Sequence, residues 1–204
     1  LDTLIRQFVI FWTVIDPIGT IPIFLAVTAP LASAARARSV ALQATAISAV
    51  VLIFFVIAGE ILLEAMAIPL AAFQVAGGIV LFLFALSMIF GSSKPEEELL
   101  LVEKGAHDAV YPLAIPSIAS PGAMMAAVLL TDNHRFSIVD QALTTLTMLL
   151  VLAITLVLMY LATRIQKVLG QSGASVISRI MGLILASVAV DHVLTGLLTY
   201  FERG

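Results

Sequence analysis

Six transmembrane helices in an all-α fold, paired as two inverted three-helix repeats, are what the sequence predicts, and three observations lead there. The 204 residues are 61% hydrophobic and 11% charged, with a mean hydropathy of +1.14, whereas a soluble domain is near half apolar and a quarter charged. A chain this short has too little polar surface to cover so much apolar mass in water. The apolar residues gather into six runs, and because a bilayer span takes about 20 of them, six is close to the most this length can hold. Finally, the halves match at one constant separation: Asp16-Pro17-Ile18 lies 104 residues before Ser120-Pro121-Gly122, and Gly77-Gly78-Ile79 lies the same distance before Met181-Gly182-Leu183.

Runs bounded by charge or turn residues put the spans near 4–29, 40–63, 70–91, 109–131, 143–163 and 176–200. They form one transmembrane domain over 1–204, with repeat one at 4–91, a loop at 92–108 and repeat two at 109–200. Span one follows Asp2 and Arg6; it is too long for a signal peptide and more spans come after it, so it is expected to stay. Pro17 and Pro22 lie near its middle, and each is expected to kink or unwind it. Span two is unbroken and ends with Glu60 and Glu64, four residues apart on one face and expected as solvated end charges. Span three carries Gln74, Gly77 and Gly78 early, inviting close helix approach, and Ser87 late. The loop at 92–108, with Lys94 and the acidic run 96–98, is expected to be solvated. Span four has Pro116 and Pro121 near its middle, span five is unbroken, and after a break at 164–175 span six carries Gly182 and then Asp191 and His192.

Arg36, Arg38, Lys94, Lys104, Arg164, Lys167 and Arg179 fall on one side of this arrangement, and Arg6, Arg135 and Arg203 on the other. The richer side is expected in the cytoplasm, which puts both termini outside, in the periplasm for a bacterial inner membrane. With three spans per repeat, the second repeat enters from the opposite side. Inverted repeats with broken helices are the pattern of secondary transporters, whose sites lie at the midplane where the repeats meet.

Each mid-span proline removes a backbone donor and clashes with the preceding turn. The freed carbonyls need partners in hydrocarbon, so unwound backbone belongs against protein or a wet cavity. Asp16-Pro17 and Ser120-Pro121 both read as an N-cap followed by proline at the first helical position. Two helices would thus restart at mid-membrane and converge, their positive ends able to hold an anionic group. The candidate substrate-binding residues are Asp16, Pro17, Gly19, Thr20, Ser120, Pro121 and Gly122, with Gly78 beside them. A carboxylate at that depth costs about 2.5–3.5 kcal/mol on insertion scales, so Asp16 is either a structural cap or a proton- or cation-coupling group. Asp191 is expected at interior depth facing the bundle, as a second coupling group in a relay with Asp16 or as a snorkelling or interhelical hydrogen-bonding residue. His192 points about 100° away from it and reads as a hydrogen-bonded packing residue or a pH switch.

The chain has no cysteine, which excludes disulfides, thiolate metal sites and thiol redox chemistry. His107, His134 and His192 are scattered and there is no His-Glu-x-x-His run, so no catalytic residue, metal or cofactor is expected. The remaining enzymatic alternative is a Ser120, His192 and Asp16 arrangement. The few basic residues lie at span ends, which argues against nucleic acid. The expected partners are the bilayer and a small polar solute or ion; a non-transporting membrane interaction or assembly protein is the alternative.

The run Phe11-Trp12-Thr13-Val14-Ile15-Asp16-Pro17-Ile18-Gly19-Thr20-Ile21-Pro22-Ile23-Phe24 resembles the opening motif of the MarC family of bacterial integral membrane proteins. Val75-Ala76-Gly77-Gly78-Ile79-Val80-Leu81, Tyr111-Pro112-Leu113-Ala114-Ile115-Pro116, Ser120-Pro121-Gly122-Ala123 and Arg179-Ile180-Met181-Gly182-Leu183 are similar to further family motifs, in the same order. The resemblance implies a six-span inner-membrane protein related to the LysE-like transporter group, whose members export amino acids and other small solutes or ions. Family members often carry Asn at the position of Asp16 and an uncharged amide near that of Asp191.

Overall fold

The computed structural model describes residues 2–31, 33–90, 109–133 and 136–202. The loop at 92–108 with its charges and His107, together with His134, Arg135 and Arg203, lies outside the described residues. All regular elements described are helical: α1 (Asp2–Ile15), α2 (Thr20–Thr28), α3 (Ala34–Ala65), α4 (Leu70–Phe90), a π-helical turn (Leu113–Ile118), α5 (Pro121–Leu129), α6 (Ile138–Tyr160) and α7 (Ala162–Glu202). Four of them are long and apolar enough to cross a membrane, namely α3, α4, α6 and the Ser175–Glu202 part of α7. Helices α1 and α2, bent by 41° at their junction, pass together as a fifth. The nine residues of α5 cover about 14 Å at 1.5 Å per residue, roughly half the hydrocarbon core.

Two local differences from the sequence reading have physical causes. Pro22 does not break span one a second time, because it sits in the first turn of α2, where its missing N–H has no intrahelical partner to lose. The stretch around Pro116 departs further from a helix than a kink: Ile115 is extended (φ −133°, ψ 124°), the conformation a following proline favours. The break expected at 164–175 is present as a kink between two helical stretches: it falls at Gly170, whose φ of 64° lies in the left-handed region open to glycine, and the membrane-length part of α7 begins at Ser175.

Helices α4 and α7 run antiparallel in close contact along their length. A Cβ added to Gly78 would fall 2.8 Å from the Ala189 carbonyl oxygen and 3.0 Å from the Val193 nitrogen, one on Gly182 3.1 Å from the Ala85 oxygen, and one on Gly196 3.0 Å from the Ala71 oxygen. Small residues that admit another backbone this closely replace the hydrophobic drive that lipid cannot supply between helices. Elsewhere α1 packs on α6, α3 on α5 and α6, and α2 on α7, around a core of Phe11, Ile15, Ile21, Leu52, Leu113, Ile118, Met148 and Leu152. Val50, Phe54 and Ile57 on α3, Leu146 and Leu150 on α6, and Leu194 and Leu198 on α7 are exposed. An apolar outer face this extensive suits lipid rather than water.

Candidate functional site

The two interruptions, at 16–19 and at 115–120, meet inside the bundle. At the first, Pro17 has no N–H, and α1 stops at Ile15 with its last carbonyls unpaired by its own helix. Asp16 takes a positive φ of 50°, a region that Asp tolerates better than most residues. Its Oδ1 accepts a hydrogen bond from the Gly19 N–H at 2.9 Å, and its carbonyl accepts from the Thr20 N–H at 3.1 Å. Asp16 therefore braces the turn at 17–19 that leads into the restarted helix; the restart itself begins at Thr20 with Gly19 as its N-cap and no side-chain cap bond, so Pro17 lies before the first helical position that the Asp-Pro pair predicts for it. Ser120 caps its helix directly at the second interruption: its Oγ accepts from the Ala123 N–H at 3.1 Å, with Pro121 at the first helical position.

Hydroxyls tie the two restarts together. Ser120 donates its proton to the Val14 carbonyl at 2.8 Å, the acceptor that an unbroken α1 would have satisfied through Ile18. Thr20 donates to the Asp16 carbonyl at 3.0 Å and lies 3.3 Å from the Ser117 hydroxyl; since Thr20 has one proton to give, Ser117 is the donor of that pair. Ser48 on α3 donates to the Ala44 carbonyl at 2.8 Å and leans on the Ala114 carbonyl at 3.2 Å. Ser178 on α7 donates to Asp16 Oδ2 at 2.8 Å. Asp16, Thr20, Ser117, Ser120 and Ser178 are all at most 1% exposed, so this is a closed polar cluster with its bonds made internally.

Among the predicted site residues, Asp16, Pro17, Gly19, Thr20, Ser120 and Gly122 are buried at or beside this cluster, while Pro121 is exposed at its edge. A Cβ on Gly19 would collide with the Asp16 carboxylate and lie 2.8 Å from Ser178 Oγ, so only glycine admits the carboxylate here. Gly78 is elsewhere, in the α4–α7 contact described above. Asp191 is a correction in its face and agrees in its bonding: it does not face the bundle but is 55% exposed, and it accepts an interhelical hydrogen bond from Arg6 of α1 at 2.8 Å. Thirteen residues separate it from Ser178, about 20 Å along a helix, and that distance removes it from the Asp16 cluster. Glu60, expected as a solvated end charge, is buried, with Oε2 accepting from the Asn133 N–H at 2.8 Å. It pins the α5–α6 connection to the end of α3.

The sequence reading missed Ser117, Ser178 and Gln7. Ser178 is 104 residues from Gln74, another buried polar residue, a pairing that the repeat separation could have revealed. Gln7 is 4% exposed, its Oε1 has no hydrogen-bond partner among the described residues, and with Thr3, Arg6, Phe136 and His192 it lines a cleft of about 220 Å³. Among the described residues no three His, Asp or Glu side chains gather as a metal site.

The exposed Arg6–Asp191 pair has a modest expected worth, since such pairs contribute about 0–1 kcal/mol. Arg6→Ala and Asp191→Ala are each expected to change thermal stability in detergent by less than about 1 kcal/mol, with the double variant no worse than the singles added. A double-mutant cycle at low and high salt checks this, and a coupling above 2 kcal/mol that persists in high salt contradicts it.

Comparison with known proteins agrees with a multi-pass membrane chain. Residues 1–201 match the family described as MarC family integral membrane protein. The chain is 32% identical over 199 residues to the membrane protein YvbG of Bacillus subtilis, covering 95% of this chain and 93% of that protein. It is 29% identical over 200 residues to the inner membrane protein YhgN of Escherichia coli, covering 97% of each, and 33% identical over 208 residues to the membrane protein MJ0972 of Methanocaldococcus jannaschii, covering 99% and 90%. No solved structure matches. With its bent apolar helices, exposed apolar faces and a family match along almost its whole length, this chain belongs to the MarC family of integral membrane proteins.

Proposed function

We propose that this chain is a secondary transporter that moves a small polar solute or ion across an inner membrane, with its pathway between the two helix restarts on one side and the packed α4–α7 pair on the other. The observation that carries the reading is a pair of matching side-chain-to-backbone bonds at the two interruptions. Asp16 to Gly19 and Ser120 to Ala123 are the same three-residue bond, 104 residues apart, joined by Ser120 to Val14. A sealed bundle has no need of two mid-span interruptions, each of which must recruit side chains to replace lost helix bonds.

On this reading the fold has six spans, the sixth built from the π-helical turn and α5, and the two halves form inverted repeats with both termini outside. The α4–α7 contact supports the relation. Gly78 meets Ala189 and Val193, and Gly182 meets Ala85 and Ile89, each residue of one set 104 positions from its counterpart in the other. Asp16 is the coupling group, its carboxylate exchanging Ser178 and Gly19 for a proton or cation as the restarts part at Gly19 and Gly122. Asp191, on the exposed side of α7, has no part in that exchange. Exposure of 1% or less at the cluster makes this the occluded arrangement. The same dryness favours a second reading, a non-transporting assembly protein whose breaks stay packed.

The absence of native cysteine allows a direct choice between the two. Thr20→Cys and Ser117→Cys, in membrane vesicles, are expected to react with a membrane-impermeant cationic thiol reagent from at least one side, while lipid-facing Phe54→Cys does not. No reaction at either position from either side, over hours, supports the sealed protein and overturns the transporter. In proteoliposomes, flux of a responding solute driven by a pH gradient is expected to be lost in Asp16→Asn; normal driven flux there removes Asp16 as the coupling group.

A further inference from the structure

At the bundle end where α3 begins and α6 passes into α7, an open cleft of about 540 Å³ is lined by Arg38, Tyr160, Leu161 and Arg164. Among the described residues neither arginine has an ion-pair or hydrogen-bond partner. Both occupy helix starts: Arg38 is in the second turn of α3, Arg164 in the first turn of α7, and neither helix has an acidic residue in its first turn. The α6 end does not answer both charges: the Leu161 carbonyl accepts from the Arg164 and Ile165 N–H groups at 2.9 and 3.0 Å, which leaves the two guanidinium groups without an anion among the described residues. An anion between the two arginines would satisfy both side chains together.

The depth is that of lipid headgroups. The 32 residues of α3 cover about 48 Å, more than the ~30 Å hydrocarbon core and close to the 40–45 Å that includes the headgroups, so its opening turns stand at headgroup level. Tyr160 closes α6 at the same end, 46% exposed, and tyrosine is enriched at that boundary. Guanidinium groups recognise phosphate through parallel N–H donors, and the phenol adds a further donor. Basic pockets between helices at this depth suit anionic headgroups.

We propose that this cleft is a phosphate-binding site, filled by the phosphodiester of an anionic lipid held between Arg38 and Arg164 and capped by the Tyr160 hydroxyl. The full chain, purified in a neutral detergent, is incubated with phosphatidylglycerol, phosphatidylcholine or inorganic phosphate, and bound species are read by native mass spectrometry. Wild type is expected to retain one phosphatidylglycerol about tenfold more than phosphatidylcholine, and the R38Q/R164Q variant to fall to the phosphatidylcholine level. R36Q/K167Q, which removes the same charge from exposed positions outside the cleft, is expected to bind as wild type does. Displacement of the lipid by millimolar inorganic phosphate, dependent on the same two arginines, keeps the phosphate site and moves its source to solution. Two results overturn the proposal: R38Q/R164Q, with an unchanged unfolding midpoint, retaining phosphatidylglycerol fully, or R36Q/K167Q losing as much as the cleft variant.

Discussion

Asp16→Ala is expected to destabilise the protein by about 3 kcal/mol, while Asp16→Asn stays within about 1 kcal/mol of wild type, because the two differ in what they leave unbonded. Alanine strands the Gly19 N–H, buried and with its only side-chain acceptor gone, at a cost of about 1–3 kcal/mol. It also places a Cβ-bearing residue with no compensating side-chain bond at φ 50°, worth another 1–2 kcal/mol or so. The Ser178 hydroxyl loses Asp16 Oδ2 but can turn back to a carbonyl of its own helix, so it adds little. Asparagine keeps an oxygen for Gly19, tolerates the left-handed backbone, and presents its NH₂ to the lone pairs of Ser178. For a chain of this length, 3 kcal/mol is a drop of roughly 6–12 °C in unfolding midpoint. Trp12 is the only tryptophan, and its carbonyl accepts from the Asp16 N–H at 3.0 Å, so its fluorescence follows unfolding at the break itself. An alanine variant as stable as the asparagine variant would show that the bond to Gly19 carries no weight. The pair also separates structure from coupling: a stable Asp16→Asn that loses driven flux has lost a titratable group, not a fold.

What the sequence made legible follows the range of each interaction. The Ser120 cap was readable because Ser-Pro acts over three residues, and the structure has that bond; at Asp-Pro the three-residue bond is present, but it braces a turn and the helix restarts only at Thr20. The face of Asp191 was not readable. Its helix is apolar on nearly every side, and lipid and protein interior are equally apolar, so periodicity gave no sign of which side turned outward. Glu60 was misread for another reason: at a span end a carboxylate is ordinarily solvated, and its burial depends on Asn133, 73 residues later in the chain. Ser178 was overlooked because a lone serine among small residues usually bonds its own helix, and only the fold brings it to Asp16. Local grammar thus located the two interruptions, while the side chains that bond them came from tertiary contacts.

The neighbours Gly77 and Gly78 are expected to respond oppositely to alanine, although both sit mid-helix in α4 and both gain about 1 kcal/mol of helix propensity from the change. At Gly77 the added methyl meets the Cε tip of Met125, and the next atom, Leu129 Cδ1, is 3.6 Å away. A methionine end swings aside at little cost, so Gly77→Ala should be neutral or up to about 1 kcal/mol more stable. At Gly78 the methyl meets Val193 Cγ2 at 2.6 Å, the Ala189 carbonyl at 2.8 Å and the Val193 nitrogen at 3.0 Å. Two of these are backbone atoms of α7 and cannot move unless the helices separate, and forced overpacking costs about 1–3 kcal/mol. Separation at Gly78 would also loosen the Gly182 and Gly196 contacts, since all three lie along one antiparallel pair, so the upper end of that range is expected for Gly78→Ala and complete loss of folded protein for Gly78→Leu. Unfolding midpoints of the two alanine variants, measured side by side in one detergent, decide it. If Gly78→Ala does not fall, the α4–α7 approach is looser than described; if only Gly78→Ala falls, that contact is held by backbone proximity.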